Sequence, residues 1–230
     1  MRIAAILLLL APDSSGTGRP KSIVLTLGEK AIRMEFVAVG PGRFVMGEGS
    51  EARPVVLSRV FWIQTTEVTQ EQWEAVMQTN PSQHVGPRRP VDHVTWTLAG
   101  EFIARLKPLA RGNEPALPTE AEWEFACRAG STTRWHFGDD PARLEEYAWF
   151  GLGPKDHGSF DVATKKPNAW GLYDMCGNVL EWCADVVPGE QRVVRGGGWY
   201  GPAQHTESAW RYLYSPDQTG QTLGLRVVLR

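Results

Sequence analysis

Leu117-Pro118-Thr119-Glu120-Ala121-Glu122-Trp123-Glu124-Phe125-Ala126 is the stretch from which the reading of this chain starts. Thr119 stands where a helix N-cap belongs, and Glu122 is spaced to return a hydrogen bond to it, the reciprocal pattern of a capping box. Trp123 and Ala126, three residues apart, then share one side of the helix and face inward. Downstream, from Gly130, the helical period disappears. Gly, Pro, Asn, Asp and Trp dominate as far as Arg195, so only short strands tied by long loops fit there. Loops of that length need something to hold them, and buried Trp or metal ions are the usual means; the chain has 10 Trp, many of them in this half.

Upstream, two more helices are signalled. Thr69 caps Gln70-Glu71-Gln72-Trp73 with Gln72 as its return partner, and Trp73, Val76 and Met77 follow on one face until Asn80-Pro81. Thr95 to Leu106 carries a buried stripe of Leu98, Ala99, Phe102 and Leu106 and is stopped by Pro108. Ile23-Val24-Leu25, Met34 to Val39, Phe44-Val45-Met46-Gly47 and Val60-Phe61-Trp62-Ile63 read as strands. No repeat or boundary interrupts the chain after residue 30, so residues 23–230 read as one domain.

Composition narrows the function classes. A formal net charge of -2, with basic residues scattered, argues against a nucleic-acid partner, which calls for a basic patch or stripe. No run reaches the roughly 20 apolar residues of a membrane span. Residues 1–22 read as a signal peptide and linker: Met1-Arg2, an apolar run from Ile3 to Ala11, then the Pro/Gly/Ser-rich stretch 12–22. Export would place the domain in the periplasm or outside the cell; the same run read as a buried strand leaves it cytoplasmic. Cys127, Cys176 and Cys183 allow at most one internal pair.

Several segments, in order, resemble the FGE-sulfatase family, that of the formylglycine-generating enzymes or sulfatase-modifying factors. They are Phe44-Val45-Met46-Gly47, Glu67-Val68-Thr69 with Gln72-Trp73, Pro90-Val91 with Val94-Thr95-Trp96, and the stretch from Leu117 to Ala126. Pro167 to Met175, Gly177-Asn178-Val179-Leu180-Glu181-Trp182, Arg195-Gly196-Gly197-Gly198-Trp199 and Gly224-Leu225-Arg226 complete the set. The resemblance implies an α+β, C-type-lectin-like fold, loop-rich, with an irregular mixed sheet and two flanking helices.

It also implies sites. The family's oxidases bind copper through two cysteines that would fall between Gly198 and Arg211. That segment has no Cys, nor does anything after Cys183. Copper and formylglycine-forming oxidation are therefore not expected, since Cu(I) needs soft sulfur ligands. A family calcium turn maps onto Asp174 to Glu181, where Asp174 and Glu181 would supply carboxylates, and Gly177 and Val179 carbonyl oxygens, a hard donor set that suits Ca²⁺. The plainer alternative is that these carboxylates bond loop amides.

The segment from Trp199 to Leu223 is the expected recognition surface for a peptide or protein ligand, through Tyr200, Gln204, His205, Trp210, Tyr212, Tyr214, Gln218 and Gln221. Aromatics mixed with amides bury contact area at low entropic cost. Variable proteins of diversity-generating retroelements share this fold and carry their diversified residues in the corresponding segment. A cysteine-independent oxidoreductase is the competing reading, with Glu207 as the one carboxylate in the segment to serve as acid or base.

Overall fold

In the computed structural model, residues 22–28, 30–153 and 158–230 and the backbone of residues 8–9 are described. In chain order the strands of the first half are β1 (Leu8–Leu9), β2 (Ser22–Leu27), β3 (Ile32–Val39), β4 (Gly42–Met46), β5 (Arg53–Leu57) and β6 (Phe61–Gln64). Helices α1 (Gln70–Met77) and α2 (Trp96–Leu106), strand β7 (Pro115–Ala116) and helix α3 (Glu120–Arg128) follow. Then come β8 (Leu180–Val187), β9 (Gln191–Arg195), β10 (Arg211–Tyr214), β11 (Leu223–Gly224) and β12 (Val228–Leu229). Beyond the β1 pair, the N-terminal run and linker on which the export reading rests lie outside the described residues, except that β2 begins within the linker, at Ser22. Among the described residues, no helix is long and apolar enough to cross a membrane.

The strands form a sheet ordered β1-β2-β3-β6-β12-β7, a second ordered β10-β9-β8-β11, and the hairpin β4-β5. Both N-terminal helix caps are made as their sequences specify. The Thr69 and Thr119 side chains accept from the amides of Gln72 and Glu122, whose side chains return to the cap amides. α1 and α2 pack through Trp73 on Phe102, parallel rings 5.1 Å apart.

The second sheet separates two cores. Leu180 and Trp182 of β8, with Val194 of β9, join the core beneath α1 and α2. Cys183 and Val193 face the other core, with Trp123 and Phe125 of α3. A strand buried on both faces loses the alternation of apolar and polar residues, which is why β8 reads only as part of a loop-rich half although it runs for 8 residues.

The three helices are those the sequence signals, and α3 is the most deeply buried of them. All its residues except Ala121 are buried, because Glu120, Glu124 and Arg128 find ionic partners inside the protein.

Candidate ligand-binding surface

The C-terminal segment starts where β9 ends, at Arg195. A Cβ on Gly197, whose φ is +75°, would lie 2.6 Å from the carbonyl oxygen of His205, so only glycine lets the chain pass here. Trp199 is fully buried, and its indole donates to the Gln221 carbonyl at 3.2 Å, so it is core rather than surface. Thr206, also buried, accepts from the Trp135 indole at 3.0 Å and fixes the turn before β10.

From there the strand period arranges the side chains. Trp210, Tyr212 and Tyr214 are spaced by two and share one side of the strand, while Arg211 and Leu213 turn to the other. His205 stacks on Trp210 at 4.4 Å, Trp210 on Tyr212 at 6.0 Å, and Tyr212 meets Tyr214 at 4.9 Å. Tyr200 and Tyr212 are about half exposed, at 53% and 50%. Trp210 and Tyr214 are rooted in the first core. Partial burial lowers the His205 pKa and, with the neighbouring Tyr212, raises that of Tyr214.

Of the expected binding residues, the structure thus joins His205, Trp210, Tyr212 and Tyr214 into one row, with Tyr200 exposed beyond Trp199. Gln204 and Gln218 are exposed and Gln221 is half-buried. Among the described residues, no side-chain hydrogen bond ties these three amides to the row; Gln218 donates to the Thr219 carbonyl.

The row rests on a buried charge network. Arg195 donates to Glu120 and Glu124 at 2.8 Å, and its remaining nitrogen holds the carbonyls of Ser208 at 3.0 Å and Trp210 at 3.1 Å. Arg211 reaches Glu120 from the surface, Arg128 pairs with Glu124, and Glu124 also accepts the Gly47 amide at 2.8 Å. Above the network lies a cleft of about 210 Å³ between Met46 to Arg53, at the tip of the β4-β5 hairpin, and Ala209 and Arg211.

Glu207 lies 3.5 Å from Arg134, and burial raises its pKa. All three cysteines are free and buried. The Cys127 sulfur sits 3.6 Å from the Ser208 hydroxyl, and Cys176, beside Cys127, has its pKa pushed up by that contact and by burial. Thiols in such surroundings are inert.

The expected calcium turn is built differently from its sequence reading. Both oxygens of Glu181 are engaged, by Arg226 at 2.7 and 3.0 Å and by the Trp123 indole at 2.6 Å. Asp174 accepts the Ala163 amide at 2.8 Å. Glu67, to which sequence reading assigned no role, is fully buried beside them and holds the Asn178 side chain at 2.8 Å and the Val179 amide at 2.9 Å. Three buried carboxylates therefore face one guanidinium. Burial, with the charges of Asp174 and Glu181, holds the Glu67 pKa well above the usual range, and burial raises Asp174 to about 6. A hard cation placed there would have to be held by Asp174 and the turn carbonyls rather than by Glu181, which is committed to Arg226; among the described residues no three His, Cys, Asp or Glu side chains are gathered to hold a metal ion.

Residues 26–230 match the family described as the sulfatase-modifying factor enzyme 1-like domain, FGE-sulfatase. The chain is 29% identical to the chaperone protein LppX of Paenibacillus barcinonensis, over 88% of this chain and 92% of that one. It is 35% identical to the inactive C-alpha-formylglycine-generating enzyme 2 of Mus musculus, over 67% of this chain but only 56% of that protein's length. Among solved structures, Treponema denticola variable protein 1 superimposes with a TM-score of 0.83 at 29% identity, covering 92% of this chain and 99% of that one. With the family segments in order along nearly the whole chain and the α+β fold they imply in place, this protein belongs to the FGE-sulfatase family.

Proposed function

We propose that this chain is a non-catalytic member of its family that binds a protein or peptide partner through Tyr200, His205, Trp210, Tyr212 and Tyr214. The observation that carries this reading is the aromatic row itself, half-exposed at Tyr212 yet anchored from beneath by Arg195. His205, Trp210 and Tyr212 stack in turn and Tyr214 meets Tyr212 edge-on, so the row mixes ring faces, ring edges and tyrosine hydroxyls. Such a surface suits the mixed polar and apolar relief of a polypeptide better than a flat sugar or base. Relatives named a chaperone protein, an inactive enzyme and a variable protein are consistent with a domain whose use is recognition. Export would present the row to partners outside the cytoplasm. If the segment is diversified by a retroelement, clones of one population will differ only between Trp199 and Leu223.

The test is to pan a phage-displayed peptide library on the immobilised domain and on Tyr212→Ala. Truncating a central aromatic costs about 2 kcal/mol or more at an interface hot spot. Peptides enriched on the wild type should therefore bind the variant at least ~10-fold more weakly. Equal retention by a folded variant would remove the row from the binding site.

Calcium at the Asp174 turn belongs to the same proposal. Without the ion, the raised Asp174 pKa means that the folded state holds the proton more tightly than the unfolded one. That stabilisation is complete below pH ~3.8, is lost as pH rises through about 6, and amounts to roughly 3 kcal/mol at most. In EDTA, Asp174→Asn should therefore melt above the wild type at pH 7 and lose that advantage near pH 4. Millimolar calcium should raise the wild-type melt and not the variant's; a wild-type melt indifferent to calcium and chelator would exclude the site.

A further inference from the structure

Resting on the reading that the C-terminal row binds a polypeptide, we infer that the partner docks as an extended strand added to the free edge of β10. Among the described residues, β10 is the outermost strand of its sheet and pairs antiparallel with β9 alone, from Arg211 opposite Arg195 to Tyr214 opposite Arg192. In an antiparallel pair, alternate residues aim both N–H and C=O at the neighbour and the others aim both away. Half of the 4 residues of β10 therefore turn unpaired main-chain donors and acceptors outward. Only a ladder of alternating donors and acceptors answers them fully, and that is another strand.

Sheet edges are ordinarily blunted by lysine, proline, a bulge or an inward-pointing charge. β10 reads Arg-Tyr-Leu-Tyr: it has no lysine, proline or bulge, and what protects it is its short length of 4 residues and one inward-turned charge. Its one charge, Arg211, is turned onto Glu120, and the irregular register of this sheet lies between β8 and β9, at Trp182 to Val186. The opposite edge is closed by contrast, since β11 has 2 residues and both are buried.

The surroundings match an added strand. Tyr212 projects half-exposed from the middle of β10, where it would flank the incoming chain and read its side chains, while the main chain supplies affinity. At the Arg211 end, the cleft between the β4-β5 hairpin and Ala209 and Arg211 adjoins the start of β10 and is open to a terminal residue of the added strand. Arg53, Arg195 and Arg211 there are balanced by Glu48, Glu51 and Glu120. The cleft thus favours a polar residue of either sign over an apolar one.

A peptide selected on the wild-type domain would be resynthesised with single N-methyl groups along its length. Strand addition predicts a loss of at least ~10-fold at every second position and little change between them. It also predicts at least ~10-fold slower hydrogen exchange at the outward amides of β10 when the peptide binds. Loss without that alternation, or unchanged exchange, overturns strand addition, while weakened binding by Tyr212→Ala would still uphold the aromatic row. Failure to select any Tyr212-dependent peptide removes both readings. A free protein that sediments as a dimer with these amides already protected would make a second copy the occupant and would equally overturn the proposal.

Discussion

Arg226→Met is expected to destabilise the fold by about 3–5 kcal/mol. Arg226 is fully buried and donates to both oxygens of Glu181, to the Gln64 carbonyl at 3.0 Å and to the Tyr173 carbonyl at 2.9 Å. It is also the positive charge that Glu67 and Asp174 feel most directly. Methionine fills much of the space but leaves Glu181 with the Trp123 indole alone and two further buried carboxylates without compensation. Removing one partner of a buried pair costs about 3–5 kcal/mol, a large part of the 5–15 kcal/mol that typically holds a domain together. Urea titration followed by circular dichroism should show the loss. Adding Glu181→Gln should recover part of it, because the neutral amide needs no countercharge yet still accepts from Trp123. A midpoint indifferent to Arg226→Met would mean that this buried pair does not hold the fold together.

Arg195→Met should cost about 3 kcal/mol, the low end of the same range. Glu120 keeps Arg211, and Glu124 keeps Arg128 and the Gly47 amide. What distinguishes this variant is its reach into the binding surface. The Ser208 and Trp210 carbonyls lose their donor, and those two residues lead directly into β10. Near-ultraviolet circular dichroism should therefore change, and peptide binding should fall even below the melting range. Tyr212→Ala should behave in the opposite way, losing binding with little loss of stability. If Arg195→Met lowers stability but binds selected peptides as the wild type does, the network supports the fold without positioning the row.

The comparison with the sequence reading turns on where side chains are spent. Thr69 with Gln72 and Thr119 with Glu122 were legible because a capping box is a local object, closed within four residues. Strands β2, β3 and β6 of the first sheet were legible as short apolar runs, although β3 is buried on both faces from Phe36 onward, whereas β7 and β12, of two residues each, carry no pattern to read. The α3 acids were not legible, because Glu120, Glu124 and Arg128 look like an ordinary solvated face until Arg195, far along the chain, is folded against them. Glu67 escaped likewise; its role appears only when Asn178 and Val179 arrive beside it. A sequence signal did exist for the aromatic row, the spacing of Trp210, Tyr212 and Tyr214 by two. The expected binding set contains the row together with Gln204, Gln218 and Gln221, and the structure adds only that these amides stand apart from the ring contacts.

Local chemistry along the chain thus determined the family, the helix starts and the lack of cysteine ligands in the C-terminal segment, each a matter of residue identity and near spacing. Which carboxylates are buried against which guanidinium, which aromatics are core and which line a surface, and which strand is left at the edge were decided by the tertiary structure alone. Those outcomes depend on partners brought together across 45 to 112 residues of chain, and burial, the quantity that sets their energy, is not a property of any residue taken by itself.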